Sequence, residues 1–389
     1  MAASTRPPRA GIQRLKEDNM SSGASPQFGH SSFEDFRLNY NPEAPQDRFK
    51  AAGFAAALAS ESDRLPSPVP WPANTKPTPA PLNPAPAETD DLSKFAGYDA
   101  VVVTWTSAEA AALAALFTPG YPTTAWYEYR HDVQSYIPLV TGSQAPFNDS
   151  QADMARYYHS LGLYFPCRIG QARVLLIKSG LHLDYDGPAF PVRKLMAEIA
   201  QAVNPKLFIT TGTGGGIGKD VALGDVILAG KTRFDCTTKF KSEPWASASY
   251  QTSPLPAGAL NAITPALTTV NAARVVGGRS TPKMWASPQD AIVTTDFFGF
   301  DDSTDYYKLQ GLGQCCDMGD AMVGNALQAF PNLKWHAIRN ASDPQIPNPD
   351  NNIEKANQQA ENIYSKYGVF TTAASVIATW AVIQSSFPA

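Results

Sequence analysis

The sequence predicts an α/β fold: three layers, α/β/α, with helices on both faces of a central mixed, twisted sheet. Three observations carry that expectation. Short apolar, β-branched runs recur at 100–104, 173–178, 207–209, 226–228, 290–294 and 335–339. Helix-like stretches separate them, and strands alternating with helices build a sheet covered on both faces. Finally, residues 1–95 are Pro-rich and irregular, so the folded unit is expected over 96–389.

Composition narrows the partners. The 389 residues are 43% hydrophobic, enough for a sizeable core, and 17% charged, with a net charge of -4. No block of Lys and Arg stands out, which argues against nucleic acid or an anionic membrane as partner. Cys167, Cys236, Cys315 and Cys316 lack zinc-site spacing, and the adjacent pair is a poor disulfide framework. A reduced, cytoplasmic chain without metal or cofactor is the expectation. "MAASTRPPRAGIQRLKEDNM" lacks the apolar stretch of a secretory signal. No uninterrupted apolar run approaches the ~18 residues of a membrane span.

Taken in order, residues 66–86 carry nine prolines, which exclude helix interiors and central strands. An extended linker or a strap over the surface is expected, with one or two helical turns at 54–58. "YDAVVVTWTSAEAAALAALF" reads as a buried strand at 100–104, a turn, and a helix from Ser107, with Ser107 as N-cap and Glu109 in the first turn. Residues 119–165 are aromatic-rich and read as an insertion with a helix near 151–161. "CRIGQARVLLIKSG" suggests a hairpin-like pair, and "PVRKLMAEIAQAV" (191–203) a helix with Pro191 at its first position. "LFITTGTGGGIG" reads as a strand ending in a glycine run, followed by a second strand at 226–228. Helices are expected after Asp317 and Asn352, the C-terminal one over about 369–385.

Five blocks, in order over 100–344, resemble the nucleoside phosphorylase/nucleosidase superfamily. They are "ARVLLIKSG", "LFITTGTGGGIG" with "LGDVILA", "VTTDFF" (293–298), "CCDMGDAM" (315–322) and "AIRNASDP" (337–344). The likeness is nearest to the 5′-methylthioadenosine/S-adenosylhomocysteine nucleosidases. It implies cleavage of a purine N-glycosidic bond, a nucleoside as small-molecule partner, and a homo-oligomer, most often a dimer.

By that resemblance Asp343 protonates the departing purine and Ser342 orients it. Glu109 activates water, and Arg339 helps hold that water. Phe298 stacks on the base, Met318 lies against the sugar, and Gly214 and Gly215 form one wall of the pocket. Each residue also has a plainer reading. "SDP" is a common turn with an Asx cap, a first-turn glutamate complements the helix dipole, and a lone arginine pairs ions. The family pattern Glu-Met-Glu is here Asp317-Met318-Gly319. Gly319 has no carboxylate for the sugar hydroxyls, which leaves Asp317 and, given a local bulge, Asp320. Thr210 stands where a phosphorylase of this superfamily has arginine, so water is expected as acceptor. A phosphorylase using Lys178, His182 and glycine-run amides is the alternative, and a non-catalytic nucleoside binder is the other.

Overall fold

A computed structural model describes residues 68–136, 138–139, 160–181, 183, 190–272 and 277–388. Its strands, in chain order, are β1 (Thr78–Pro79), β2 (Ala100–Thr104), β3 (Tyr127–Tyr129), β4 (Gly162–Ile169), β5 (Ala172–Ser179), β6 (Leu207–Gly216) and β7 (Val226–Leu228). There follow β8 (Lys231–Asp235), β9 (Ser249–Gln251), β10 (Met284–Trp285), β11 (Ala291–Thr295), β12 (Cys315–Asp317) and β13 (Lys334–Asp343). The helices are α1 (Ser107–Phe117), α2 (Val133–Tyr136), α3 (Pro191–Val203), α4 (Ala259–Leu267), α5 (Asp320–Leu327) and α6 (Ile353–Ser386).

Alternation along the strands separates the layers. On β2, Ala100 and Val102 join one core with α1, α4 and α6, while Val101 and Val103 join another with α3 and α5. Leu207 and Ile209 of β6 face the first core and Phe208 the second, as period-two side chains must. The sheet runs β1-β4-β5-β2-β6-β12-β11-β8-β9, with β13 on β6 and β7, β10 on β7 and β3 on β4. Parallel and antiparallel pairs mix, as expected of the predicted three-layer α/β/α fold.

Several elements differ from expectation for local reasons. Thr106, not Ser107, caps α1, because Thr106 and Glu109 form a reciprocal capping box. The expected strand at 207–209 continues through the glycines to Gly216. The C-terminal helix is one piece of 34 residues beginning after Asn352. Gly368 lies within it, facing Ala108 of α1 at ordinary contact distance. Lys366–Ser386 is long and apolar enough by length and composition to cross a membrane, but 83% of its most apolar window is buried inside the protein, as in a core helix.

The Pro-rich stretch is a strap from residue 68 onward. β1 pairs with β4, Trp71 packs on Trp380 with ring centroids 4.8 Å apart, and the Trp380 Nε1–H donates to the Thr75 carbonyl at 2.7 Å. Among the described residues of the 119–165 segment, Trp126, Tyr129 and Tyr136 are buried. The helical turns expected at 54–58 and most of the helix expected at 151–161 lie outside the described residues.

Candidate active site

β6 explains where the site forms. One edge is occupied by β13 from Leu207 to Gly215. The other edge carries β2 up to Thr210 and then β12 from Gly215. Between them the backbone of Thr213 lacks a strand partner, and two side chains take that place. Glu109 accepts the Thr213 N–H at 2.6 Å, and Arg339 Nη1 donates to the Thr213 carbonyl at 3.2 Å. Gly212 makes this possible. A Cβ there would lie 2.1 Å from Glu109 Oε1, and its φ of 154° also disfavours a side chain.

Glu109 is fully buried and surrounded by donors. Oε2 accepts from Thr104 Oγ1 and the backbone N–H groups of Trp105 and Thr106, within 2.8–2.9 Å. Oε1 accepts from both the N–H and hydroxyl of Thr213 and from Arg339. Burial by itself would raise its pKa. The Arg339 charge and the backbone N–H groups of Thr213, Thr106 and Trp105 outweigh that and hold it below the usual carboxylate range.

Arg339 is equally engaged. Nε and Nη2 grip Asp320 in a two-pronged pair at 2.8 and 2.7 Å, and Nη2 also meets Asp317 Oδ2 at 3.0 Å. Nη1 serves Glu109 and Thr213, so the guanidinium makes four hydrogen bonds and an ion pair with Asp317. Asp320, expected near the sugar, is instead turned wholly to this guanidinium. Among the described residues no group of three or more His, Cys, Asp and Glu could hold a metal. The cation held by Glu109, Asp317 and Asp320 is Arg339.

Beside this cluster opens a pocket lined by Thr213, Gly214, Gly215, Phe298, Gly299, Cys316, Asp317, Met318, Ser342, Asp343 and Tyr364. It gathers seven of the residues singled out from sequence: Gly214, Gly215, Phe298, Asp317, Met318, Ser342 and Asp343. Glu109, Arg339 and Asp320 stand behind it. The space inside it is about 30 Å³, room for about two water molecules, and the half-buried Phe298 and Tyr364 rings stand in its lining.

Asp343 ends β13. Ser342 Oγ donates to its Oδ1 at 2.8 Å, whereas the buried Oδ2 has no partner among the described residues. Burial raises its pKa to about 7, opposed by the Ser342 hydrogen bond and assisted by the Asp301 charge. Asp317 also rises to about 7, through burial first and the neighbouring Asp320 second, against Arg339 and Thr294.

Gly319 meets an aromatic ring. A Cβ there would touch the Trp105 indole at 3.1 Å, and the Arg339 guanidinium stands 5.0 Å over that ring. Lys178, in register with Thr104 on the neighbouring strand, is buried behind the site. It carries no hydrogen bond or ion pair among the described residues, and burial lowers its pKa to about 8. His182 lies outside the described residues.

The family is now decided by sequence. A family model for the phosphorylase superfamily matches residues 141–367, more than half of the chain. The chain belongs to the phosphorylase superfamily. Among solved superfamily-like structures it is similar to the 5′-methylthioadenosine/S-adenosyl homocysteine nucleosidase of Helicobacter pylori, at 13% identity and a TM-score of 0.45, covering 74% of this chain and 99% of that one. The corresponding nucleosidase of Neisseria meningitidis gives 15% identity and a TM-score of 0.44, covering 74% and 99%. Futalosine hydrolase of Helicobacter pylori gives 11% and 0.43, covering 74% and 97%. No curated protein matches by sequence.

Sequence reasoning did not find Thr213, Trp105 or Tyr364. Thr213 lay within a run read only for its glycines. The T-x-x-E spacing of Thr106 and Glu109 is a signal that would have pointed to Thr106 as the cap, whereas nothing in the sequence points to Tyr364, whose hydroxyl donates to Thr106 Oγ1 at 2.8 Å across 258 residues.

Proposed function

We propose that this superfamily member cleaves the N-glycosidic bond of a purine nucleoside or related nucleoside, with water as acceptor and Asp343 as the acid. The carrying observation is the unpartnered Oδ2 of Asp343, buried in a pocket that also presents the Phe298 ring. A carboxyl with a pKa near 7 keeps its proton long enough to give it to a ring nitrogen as the bond breaks. Phe298 offers a π-face for the base, and Met318 an apolar surface for the sugar.

Water is favoured over phosphate by charge. Among the described residues no lysine or arginine lines the pocket, and Arg339 is already engaged by Glu109, Asp317, Asp320 and the Thr213 carbonyl. A phosphate dianion would meet Asp317 and Asp343 without a counter-charge. Glu109 and Arg339 serve as positioning residues that fix Thr213 and Asp317 around the pocket.

Incubation with adenosine, inosine and methylthioadenosine, with and without phosphate, tests the proposal. Free base and free sugar without phosphate are expected. Sugar phosphate formed only when phosphate is present would replace hydrolysis with phosphorolysis. Binding without base release in either condition would reduce the protein to a nucleoside binder.

A further inference from the structure

One buried carboxylate beside the pocket takes no part in the Arg339 cluster. Asp301 lies three residues beyond Phe298 and is 1% exposed. Its Oδ2 accepts the Gly218 N–H and the Gln345 side-chain amide, each at 2.8 Å, and Gln310 Nε2 donates to Oδ1 at 3.1 Å. Its carbonyl accepts the Ile346 N–H at 2.8 Å. These contacts tie the Phe298 loop to two segments at once, the end of the glycine run and the residues that follow Asp343. Asp343 itself stands opposite Gly215 in the β6–β13 register, so Asp301 is fixed beside the strand ends that carry the acid. Every partner of the Asp301 carboxylate is a neutral donor. Burial raises its pKa, the three donors favour its ionised form, and among the described residues no Lys, Arg or His pairs with it. A buried negative charge without a counter-ion acts on any group that titrates nearby.

We propose that Asp301 is a positioning residue for the reaction, and that its uncompensated charge keeps the transferable proton on Asp343. The proposal rests on the reading of Asp343 as the acid of a nucleoside-cleaving pocket. The departing base needs that proton as the carbon–nitrogen bond breaks, so the acid works only while protonated. Two negative charges close together in a poorly screened interior disfavour ionisation of the second. Burial is the first cause at Asp343 and the Asp301 charge adds to it, whereas the Ser342 hydrogen bond opposes both. Around the pair, Cys315, Cys316 and Asp317 approach from β12, Tyr364 from α6, and Asp305 from the loop of Asp301 itself. Arg339, four residues before Asp343 on β13, is taken up by Glu109, Asp317 and Asp320. Removing the Asp301 charge therefore makes Asp343 give up its proton at a lower pH, and activity with it.

The test follows base release from adenosine, inosine and methylthioadenosine between about pH 5 and pH 9. Wild type is expected to lose activity as pH rises through about 7, where Asp343 ionises. In Asp301→Asn this alkaline limb should move down by roughly half a pH unit or more, an extra ~3-fold loss of kcat/KM along the limb. Gln310→Lys gives an independent reading, because residue 310 is exposed and its side chain already reaches the carboxylate. A cation there, with Asp301 and its backbone contacts kept, should move the limb in the same direction. An Asp301→Asn protein with lower kcat at every pH and an unmoved limb would mark a merely structural carboxylate and overturn the proposal. So would an unmoved limb in Gln310→Lys, which decides the matter if Asp301→Asn does not fold. If wild type releases no base from the three nucleosides, or Asp343→Asn keeps its rate, the acid reading itself falls. An unmoved limb in active variants removes Asp301 alone and leaves the dependence on Asp343 intact.

Discussion

At the residue scale, the site is built from groups whose charge is costly where they stand. Asp343 has an unfolded-state reference of 3.8 and a folded pKa of about 7. Between those values the folded state holds the extra proton, so stability falls as pH rises through that window, and the cost is complete above it. Asp343→Asn is therefore expected to lose activity and gain stability together. Base release should drop ~100-fold or more while nucleoside binding, read by titration calorimetry, is retained. Denaturant unfolding near pH 8 should show the variant more stable by roughly 2–4 kcal/mol, with the gain gone near pH 4. A wild-type rate in the variant would remove Asp343 from the mechanism. Lys178 has the opposite sign. Its folded pKa of about 8 lies below the reference of 10.5, so its penalty is complete below pH 8 and fades as pH rises toward 10.5. Lys178→Met should stabilise the protein by roughly 1–3 kcal/mol at neutral pH, and by less near pH 10. Equal gains at both pH values would mean that the amine is not the source.

At the element scale, β6 couples the fold to the site. Its glycines admit neighbours: Glu109 at Gly212, the Cys316 carbonyl at Gly214, where a Cβ would lie 2.8 Å away, and the Asp343 carbonyl at Gly216, also 2.8 Å. Gly212→Ala would drive a methyl into the Glu109 carboxylate and strain a positive φ. It is expected to cost roughly 3 kcal/mol or more, or to prevent folding, in thermal unfolding. Near-wild-type stability would mean that Glu109 can relocate freely. The strand also shows what the sequence could and could not reveal. β2, α1 and α3 were legible within a residue or so, because local period and capping chemistry determine them. β6 was legible as a strand only to Ile209. Its glycines look like a loop until the approaching groups are known, and those come from positions 102 to 127 residues away. Likewise Asp343 and Ser342 were legible as a pair, whereas the six donors that surround Glu109 come from separate elements and are seen only in three dimensions. Asp320 illustrates the same limit: its sequence position suited the sugar, but the arginine 19 residues later claims it.

At the scale of the whole molecule, the long helix α6 joins the site to the strap. Tyr364, near one end, lines the pocket, and Trp380, toward the other, carries Trp71 and the Thr75 carbonyl. Sixteen helical residues separate them, about 24 Å at 1.5 Å per residue. The strap also adds β1 to the outer edge of the sheet and buries Val69, Leu92 and Phe95, so it closes a sheet edge and covers apolar surface at a distance from the chemistry. Its loss should then act on stability and leave the reaction alone. Trp71→Ala removes a half-buried ring and is expected to lower unfolding free energy by about 2 kcal/mol, seen as a lower Tm. At temperatures where the variant stays folded, kcat and the pH profile of base release should match wild type. A loss of kcat without a loss of Tm would instead place the strap in the catalytic cycle, with α6 carrying its influence to Tyr364.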